Sequence, residues 1–222
     1  MFTLHSDGIL RADAFAALPW LEHGFETRES QCPREGFRVA TLKQIHSARV
    51  TVVREERGVL GEADALATNC AAVLLSIRTA DCVPILIADP DARAVAAVHA
   101  GWRGVVAGVL PRAVETMQAE FGSRPGSLLA AIGPCIRRDA FEVGEEVATQ
   151  FQSLFPERRD LDRKTHVDLA EACARQLTRM GVPAGAVFDC GRCSYREAAL
   201  FHSFRRDREA SGRMAAFIGI RQ

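Results

Sequence analysis

The 222-residue sequence has no excess of either charge, with Lys plus Arg and Asp plus Glu at 28 each. No net field therefore draws it to nucleic acid or to an anionic membrane surface. Long hydrophobic runs are missing too. The longest, around VPILIA and RAVAAVHAGW, fall far short of a membrane span. The N-terminus, MFTLHSDGILRADAF, holds acids and no continuous apolar stretch, so no signal peptide is expected. Histidine is scarce, at 6 residues. The 7 cysteines (Cys32, Cys70, Cys82, Cys135, Cys173, Cys190 and Cys193) are odd in number and irregularly spaced. That excludes a regular disulfide framework and fits reduced thiols in a cytoplasmic protein. Low-complexity tracts, charge blocks, Pro/Ser-rich linkers and internal repeats are also lacking, so residues 1–222 read as a single domain.

What is present is ordinary globular composition, 48% hydrophobic and 25% charged, with enough apolar material for a sizeable core. The β-branched segment 48–54 reads as a strand. Segments 71–77, 83–88 and 94–99 are apolar without alternation and read as strands buried on both faces. Asp89-Pro90-Asp91 is a turn signal, so the last two are expected to pair as an antiparallel hairpin. A helical spacing runs from Val105 to Phe121, with a kink or break expected at Pro111 and a C-cap at Gly122. A short strand over 128–132 follows. Segments 143–155 and 167–180 read as amphipathic helices, and 186–189 and 214–220 as late strands. Interspersed strands and helices, several strands being doubly buried, point to layered sheets covered by helices.

Reactive side chains concentrate in three segments, LKQIHSARV (42–50), SIRTADCVP (76–84) and VHAGWRG (98–104). If the strand after Cys82 pairs with the strand ending at His99, their open ends adjoin, and His46 completes a His–His–Cys set. Zinc accepts two imidazoles and a thiolate with a fourth position open, and copper accepts the same donors. Alternatively, Cys82 is a nucleophile with His99 as its base. Gly101 and Gly104 let a ligand approach the backbone. Arg103 adds a forked charge at the start of the expected helix, where an anion is favoured. Cys190 and Cys193 form a lone CxxC without a second pair, so no zinc ribbon is expected there. Cys135 follows Gly133-Pro134 at a strand end and is expected to line the pocket. Arg205 joins the site if it faces it.

The motifs LKQIH, GEADAL, TADCVPIL, AAVHAGWRG, AAIGPCI, FEVGEEV, HVDLAEA and FHSFRRDREASGR resemble the YfiH family. It is also called the laccase-domain or polyphenol oxidase family and, in bacteria, peptidoglycan editing factor. TADCVP followed by HAGWRG is highly specific, and the likeness runs from about Leu42 to the C-terminus. It implies an α/β fold, a layered α/β/β/α sandwich with mixed sheets, related to a CNF-type bacterial toxin. It also implies metal ligands at His46, Cys82 and His99. Family members are described as purine nucleoside phosphorylases with adenosine deaminase and methylthioadenosine phosphorylase activities. Older descriptions make them copper-dependent phenol oxidases, and a role in correcting cell-wall precursors has been assigned. Three features depart from the family pattern. A Gly-Gly-rich stretch is replaced by ESQCPREGFRVA after Thr27-Arg28, Cys173 stands where Asn is common, and Cys193-Ser194 stands where Cys-Thr is usual.

The combined expectation is a metalloenzyme, with zinc or alternatively copper, acting on a purine nucleoside and phosphate. Its catalytic residues are Cys82, His99, His46 and Asp81, and its substrate contacts are Arg103, Arg78, Asp64, Cys135 and Arg205. Phosphate falls to Arg103, Arg78 and the helix N-terminus after Gly104. Asp64 or Asp81 accepts from base or ribose. The competing readings are an amide hydrolase on cell-wall precursors using Cys82 and His99 or the metal, a copper phenol oxidase, and a binding module. No nucleic-acid or membrane partner is expected, and the chain is expected to be a monomer or weak homo-oligomer.

Overall fold

The computed structural model describes residues 1–33 and 35–222. The early strands are β1 (Phe2–Leu4), β2 (Leu10–Ala12), β3 (Leu21–Phe25), β4 (Arg38–Lys43), β5 (Val50–Val52), β6 (Gly58–Glu62) and β7 (Ala65–Thr68). The central ones are β8 (Val73–Thr79), β9 (Val83–Asp89), β10 (Ala94–Ala100) and β11 (Leu129–Ile132). The late ones are β12 (Glu142–Val143), β13 (Thr165–His166), β14 (Val187–Asp189) and β15 (Met214–Ile220). A seven-stranded sheet runs β1-β2-β3-β15-β8-β4-β6 and a six-stranded sheet β14-β11-β9-β10-β7-β5, while β12 and β13 form a small ribbon. Both large sheets are mixed. The β4–β8, β4–β6, β5–β7 and β11–β14 pairs are parallel.

All seven residues of β9 and all seven of β10 are buried, as their unbroken apolar sequence requires. On the inner face, Leu86, Ala88, Val95 and Ala97 pack against Leu75, Ile77, Ala216 and Ile218 of the facing sheet. On the other face, Ile85, Ile87, Ala96 and Val98 pack under the helices α2 (Trp102–Val106), α3 (Val109–Phe121) and α5 (Leu169–Arg179). The outer face of the seven-stranded sheet carries a smaller apolar cluster around Leu74 and Phe217. The result is the layered mixed α/β arrangement expected. The remaining helices are short: α1 (Asp13–Ala16), α4 (Glu145–Ala148) and α6 (Phe204–Asp207).

The expected hairpin forms. β9 and β10 pair antiparallel from Ala94↔Asp89 to Ala100↔Val83. Asp89 Oδ1 accepts the backbone N–H groups of Asp91 and Ala92 at 2.9 and 3.2 Å and so fixes the turn. Two helix expectations need correction. The break falls at Gly108, whose φ of 81 is left-handed. Pro111 lies in the first turn of α3, where a missing N–H costs little. The segment 143–155 yields only α4 and a 3-10 turn over Thr149–Phe151.

Candidate metal centre and active-site cavity

His99 is the penultimate residue of β10 and shares the inner-face parity of Val95 and Ala97. It therefore points between the two sheets, at their open end. Asp64, just before β7, has the parity of inner-face Leu66 and meets it there. His99 Nδ1 and Asp64 Oδ1 are 2.8 Å apart. An ionised carboxylate only accepts, so Nδ1 carries the proton and Nε2 faces the other way. Asp64 also accepts the backbone N–H groups of Ile45, His46 and Ser47 at 3.3, 2.9 and 2.5 Å, and the Ser47 hydroxyl at 2.7 Å. Three successive amides thus wrap one buried carboxylate. This holds His46 at a left-handed φ of 59, a conformation that a histidine keeps only when its surroundings impose it.

Cys82 stands in the turn between β8 and β9. The preceding residue, Asp81, is also left-handed, at φ 88. Its carboxylate accepts from the Ser194 hydroxyl at 2.7 Å and from the Arg205 backbone N–H at 2.6 Å. The ligand atoms offered by His46, Cys82 and His99 all lie within 4.8 Å of one another. That places them near enough for modest side-chain movement to bring all three onto a single ion. Gly101 makes room for the set, because a Cβ there would fall 2.4 Å from His46 Nδ1 and 3.0 Å from Cys82 Sγ. Two imidazoles, a thiol and a cradle that only glycine leaves open fit a borderline-soft ion such as zinc or copper.

The charges support the same arrangement. Burial pushes the Cys82 thiol up, but the imidazoles of His46 and His99 outweigh it and bring its pKa down to about 6. Burial would lower His99, yet Asp64 and Cys82 raise it to about 9. Burial likewise works against the Asp64 carboxylate, and His99 and Ser47 still bring it down to about 2.

His46, Cys82 and His99 open onto a cavity of about 610 Å³ lined also by Leu42, Gln44, Arg78, Thr79, Ala80, Trp102, Arg103, Phe204 and Arg213. Among the described residues, three arginines and no acid line it. The Arg103 guanidinium sits 4.3 Å above the Trp102 ring.

The family model for the multi-copper polyphenol oxidoreductase laccase matches residues 26–221. The chain belongs to this family. A purine nucleoside phosphorylase of Deinococcus radiodurans is 44% identical over 183 residues, 82% of this chain and 70% of that protein. Adenosine deaminase RL5, from an unknown prokaryotic organism, is 37% identical over 193 residues, 80% of this chain and 72% of that protein. The crystal structure of YlmD from Geobacillus stearothermophilus has a TM-score of 0.89 at 29% identity, covering 100% of this chain and 99% of that one.

Within the family framework, several residues expected at the site stand elsewhere. Asp64, fully buried, lies behind His99 and does not line the cavity. Asp81 spends one oxygen on the Ser194 hydroxyl and the other on the Arg205 backbone N–H, and does not line the cavity. Cys135 is fully buried, and burial pushes its thiol well above the usual range. It pairs by an isolated bridge with Cys193 and lies off the cavity wall. Arg205 turns away, donating to the Glu142 carbonyl at 3.0 Å over the Phe141 ring. The helix after Gly101 is only five residues long, too short to supply much of a dipole. Arg78 and Arg103 do face the cavity. Gln44, Phe204 and Arg213 line it without having been singled out, although all three stand inside the motifs LKQIH and FHSFRRDREASGR.

Proposed function

We propose that the chain is a cytoplasmic metal-dependent purine nucleoside enzyme in which His46, Cys82 and His99 hold one zinc ion, with copper as the alternative. The observation that carries this reading is the convergence of two imidazoles and a low-pKa thiol at one end of a cavity walled by arginines without acids. The bound ion would supply Lewis acidity and an activated water, the chemistry that deamination of adenosine needs. The protein groups do the rest. Asp64 fixes the tautomer and orientation of His99. Trp102 and Phe204 offer ring faces to a purine. Arg103 and Arg78 offer charge-assisted donors to the phosphate that phosphorolysis of adenosine, inosine or methylthioadenosine consumes. The relatives named for phosphorolysis and for deamination support this substrate class. We place small molecules alone among its ligands, with no nucleic acid or membrane, and expect a monomer or weak homo-oligomer.

Elemental analysis combined with a nucleoside screen in phosphate buffer tests the reading. Ala at His46, Cys82 or His99 should remove the metal, and Ser at both Cys190 and Cys193 should not. Free base with ribose 1-phosphate reports phosphorolysis, and ammonia reports deamination. Inertness of metal-replete protein toward all three nucleosides would remove the proposal.

A second reading is favoured by the Cys82–His99–Asp64 sequence of thiol, imidazole and carboxylate. It is an amide hydrolase acting on a cell-wall precursor: the Cys82 thiolate would attack the carbonyl carbon, the C–N bond would break as the amine leaves with a proton from His99, and water would then release the acyl group as the acid and regenerate the thiol. Chelation separates the two, since a thiolate nucleophile keeps its activity when the ion is stripped. A copper phenol oxidase has the least support, because the described residues offer one three-donor cluster and a multicopper centre draws on several.

A further inference from the structure

A second cavity, of about 600 Å³, adjoins the first and shares Leu42, Gln44, Arg78 and Arg213 with it. It lies on the outer face of the seven-stranded sheet, where Val39, Ser76 and Ala215 line its floor. Either cavity alone is already of the size that holds a small ligand.

The wall between them is built. The Gln44 side chain copies a strand, with Nε2 donating to the Arg78 carbonyl at 2.8 Å and Oε1 accepting the Arg78 N–H at 2.7 Å. This pins the backbone from which the Arg78 guanidinium projects. Arg213 is held from the other side. Its Nη1 donates to the carbonyls of Ser211 and Gly212 at 3.1 and 2.9 Å, and its guanidinium lies 5.6 Å over the Phe204 ring. His202 packs so closely on Gly212 that a Cβ there would fall 2.5 Å from Nε2. Among the described residues, neither guanidinium has a carboxylate partner. The one acid in the second cavity, Glu26, spends its two oxygens on the backbone N–H groups of Cys32 and Ala215. Two arginines without a carboxylate partner thus line the junction.

We propose that the two cavities form one elongated site, and that Arg78 and Arg213 hold a phosphate-type anion carried covalently by the substrate. The nucleoside part then lies in the first cavity, and whatever the anion links to lies in the second. This rests on the nucleoside reading for the identity of the first part, and not for the anion. Arg103 lines only the first cavity, so it separates a free phosphate beside the metal centre from an anion at the junction.

Calorimetric titration of the purified protein with adenosine, adenosine 5′-phosphate, inorganic pyrophosphate and inorganic phosphate tests this, for wild type, Arg213→Gln and Arg213→Lys. The Arg213 side chain is exposed, and a melting curve checks the fold. We expect adenosine 5′-phosphate to bind roughly tenfold tighter than adenosine in wild type. Arg213→Gln should erase that ratio and Arg213→Lys should restore part of it. If adenosine binds but its phosphate gains nothing from Arg213, the junction site is wrong and the nucleoside reading stands. Arg213-dependent binding of pyrophosphate without adenosine binding keeps the anion site and removes the nucleoside reading. Inorganic phosphate that depends on Arg213, with no gain for the nucleotide, assigns the arginine to the free co-substrate and overturns the proposal. Binding of none of the four removes both readings.

Discussion

Asp64 holds His99 from behind, with Oδ1 2.8 Å from Nδ1 and both residues all but closed to solvent. The same oxygen accepts the N–H of His46 at 2.9 Å, so one carboxylate sets the place of two candidate ligands. Asp64→Asn keeps the shape and removes the charge. It should lower metal affinity by about 10- to 100-fold, the usual cost of losing a group that orients a ligand. Competition against a chromophoric chelator measures it, and an unchanged affinity would show that the contact orients nothing.

Gly101 has φ −71 and ψ 164, which any residue adopts, so Gly101→Ala brings no backbone strain. Its Cβ nevertheless lands 2.4 Å from His46 Nδ1. The expected result is a normally folded protein with displaced His46 and little bound metal. Circular dichroism and elemental analysis of one preparation separate the two effects. Full metal occupancy would place His46 outside the site.

Arg103→Ala should raise the phosphate KM in adenosine phosphorolysis by about tenfold. This is the lower end of what a charge-assisted contact contributes, because the guanidinium is exposed and already stacked on Trp102. Arg103→Lys should recover only part, since a point charge lacks the fork. Initial rates at varied phosphate decide it, and an unchanged KM would reassign Arg103 to packing on the tryptophan.

His23 supplies the pH dependence of folding. Burial, aided by the charge of Arg11, lowers its pKa from 6.5 to about 4. Its Nε2 accepts the Ala12 N–H at 3.0 Å, a bond that protonation breaks. The unfolded chain therefore takes up a proton first, and stability falls as the pH drops from 6.5 toward 4. The loss is about 3 kcal/mol by linkage. Urea melts across that range should show wild type losing this much more than His23→Gln. Parallel slopes for the two proteins would mean that His23 is not the sensor.

The hairpin carrying Cys82 and His99 was legible because its cues are local: two unbroken apolar runs and Asp89-Pro90-Asp91 between them. The layered fold was legible for the same reason, since β9 and β10 read as buried on both faces. The partners of each polar group were not. Asp64 and Asp81 look alike in sequence, each an acid inside a reactive motif. What separates them is strand parity in one case and contacts with Ser194 and Arg205, far along the chain, in the other. Arg205 lies inside α6 and reaches the Glu142 carbonyl, whereas Arg213 lies beyond α6 and lines the cavity, a difference that their shared motif does not show. The break at Gly108 escaped notice because Pro111 gives the stronger local signal, although the first turn of α3 tolerates it.

The turn at Asp89 lies at the far end of two seven-residue strands, about 20 Å from Cys82 at the usual rise per residue. It still acts as the ruler of the reactive end. One residue inserted or deleted there that slipped the ladder would turn His99 from the space between the sheets into the helical layer, away from Asp64. Length variation in this chain is therefore more tolerable in its irregular surface segments than in this remote loop, whose length is as much a property of the candidate site as its three candidate ligands.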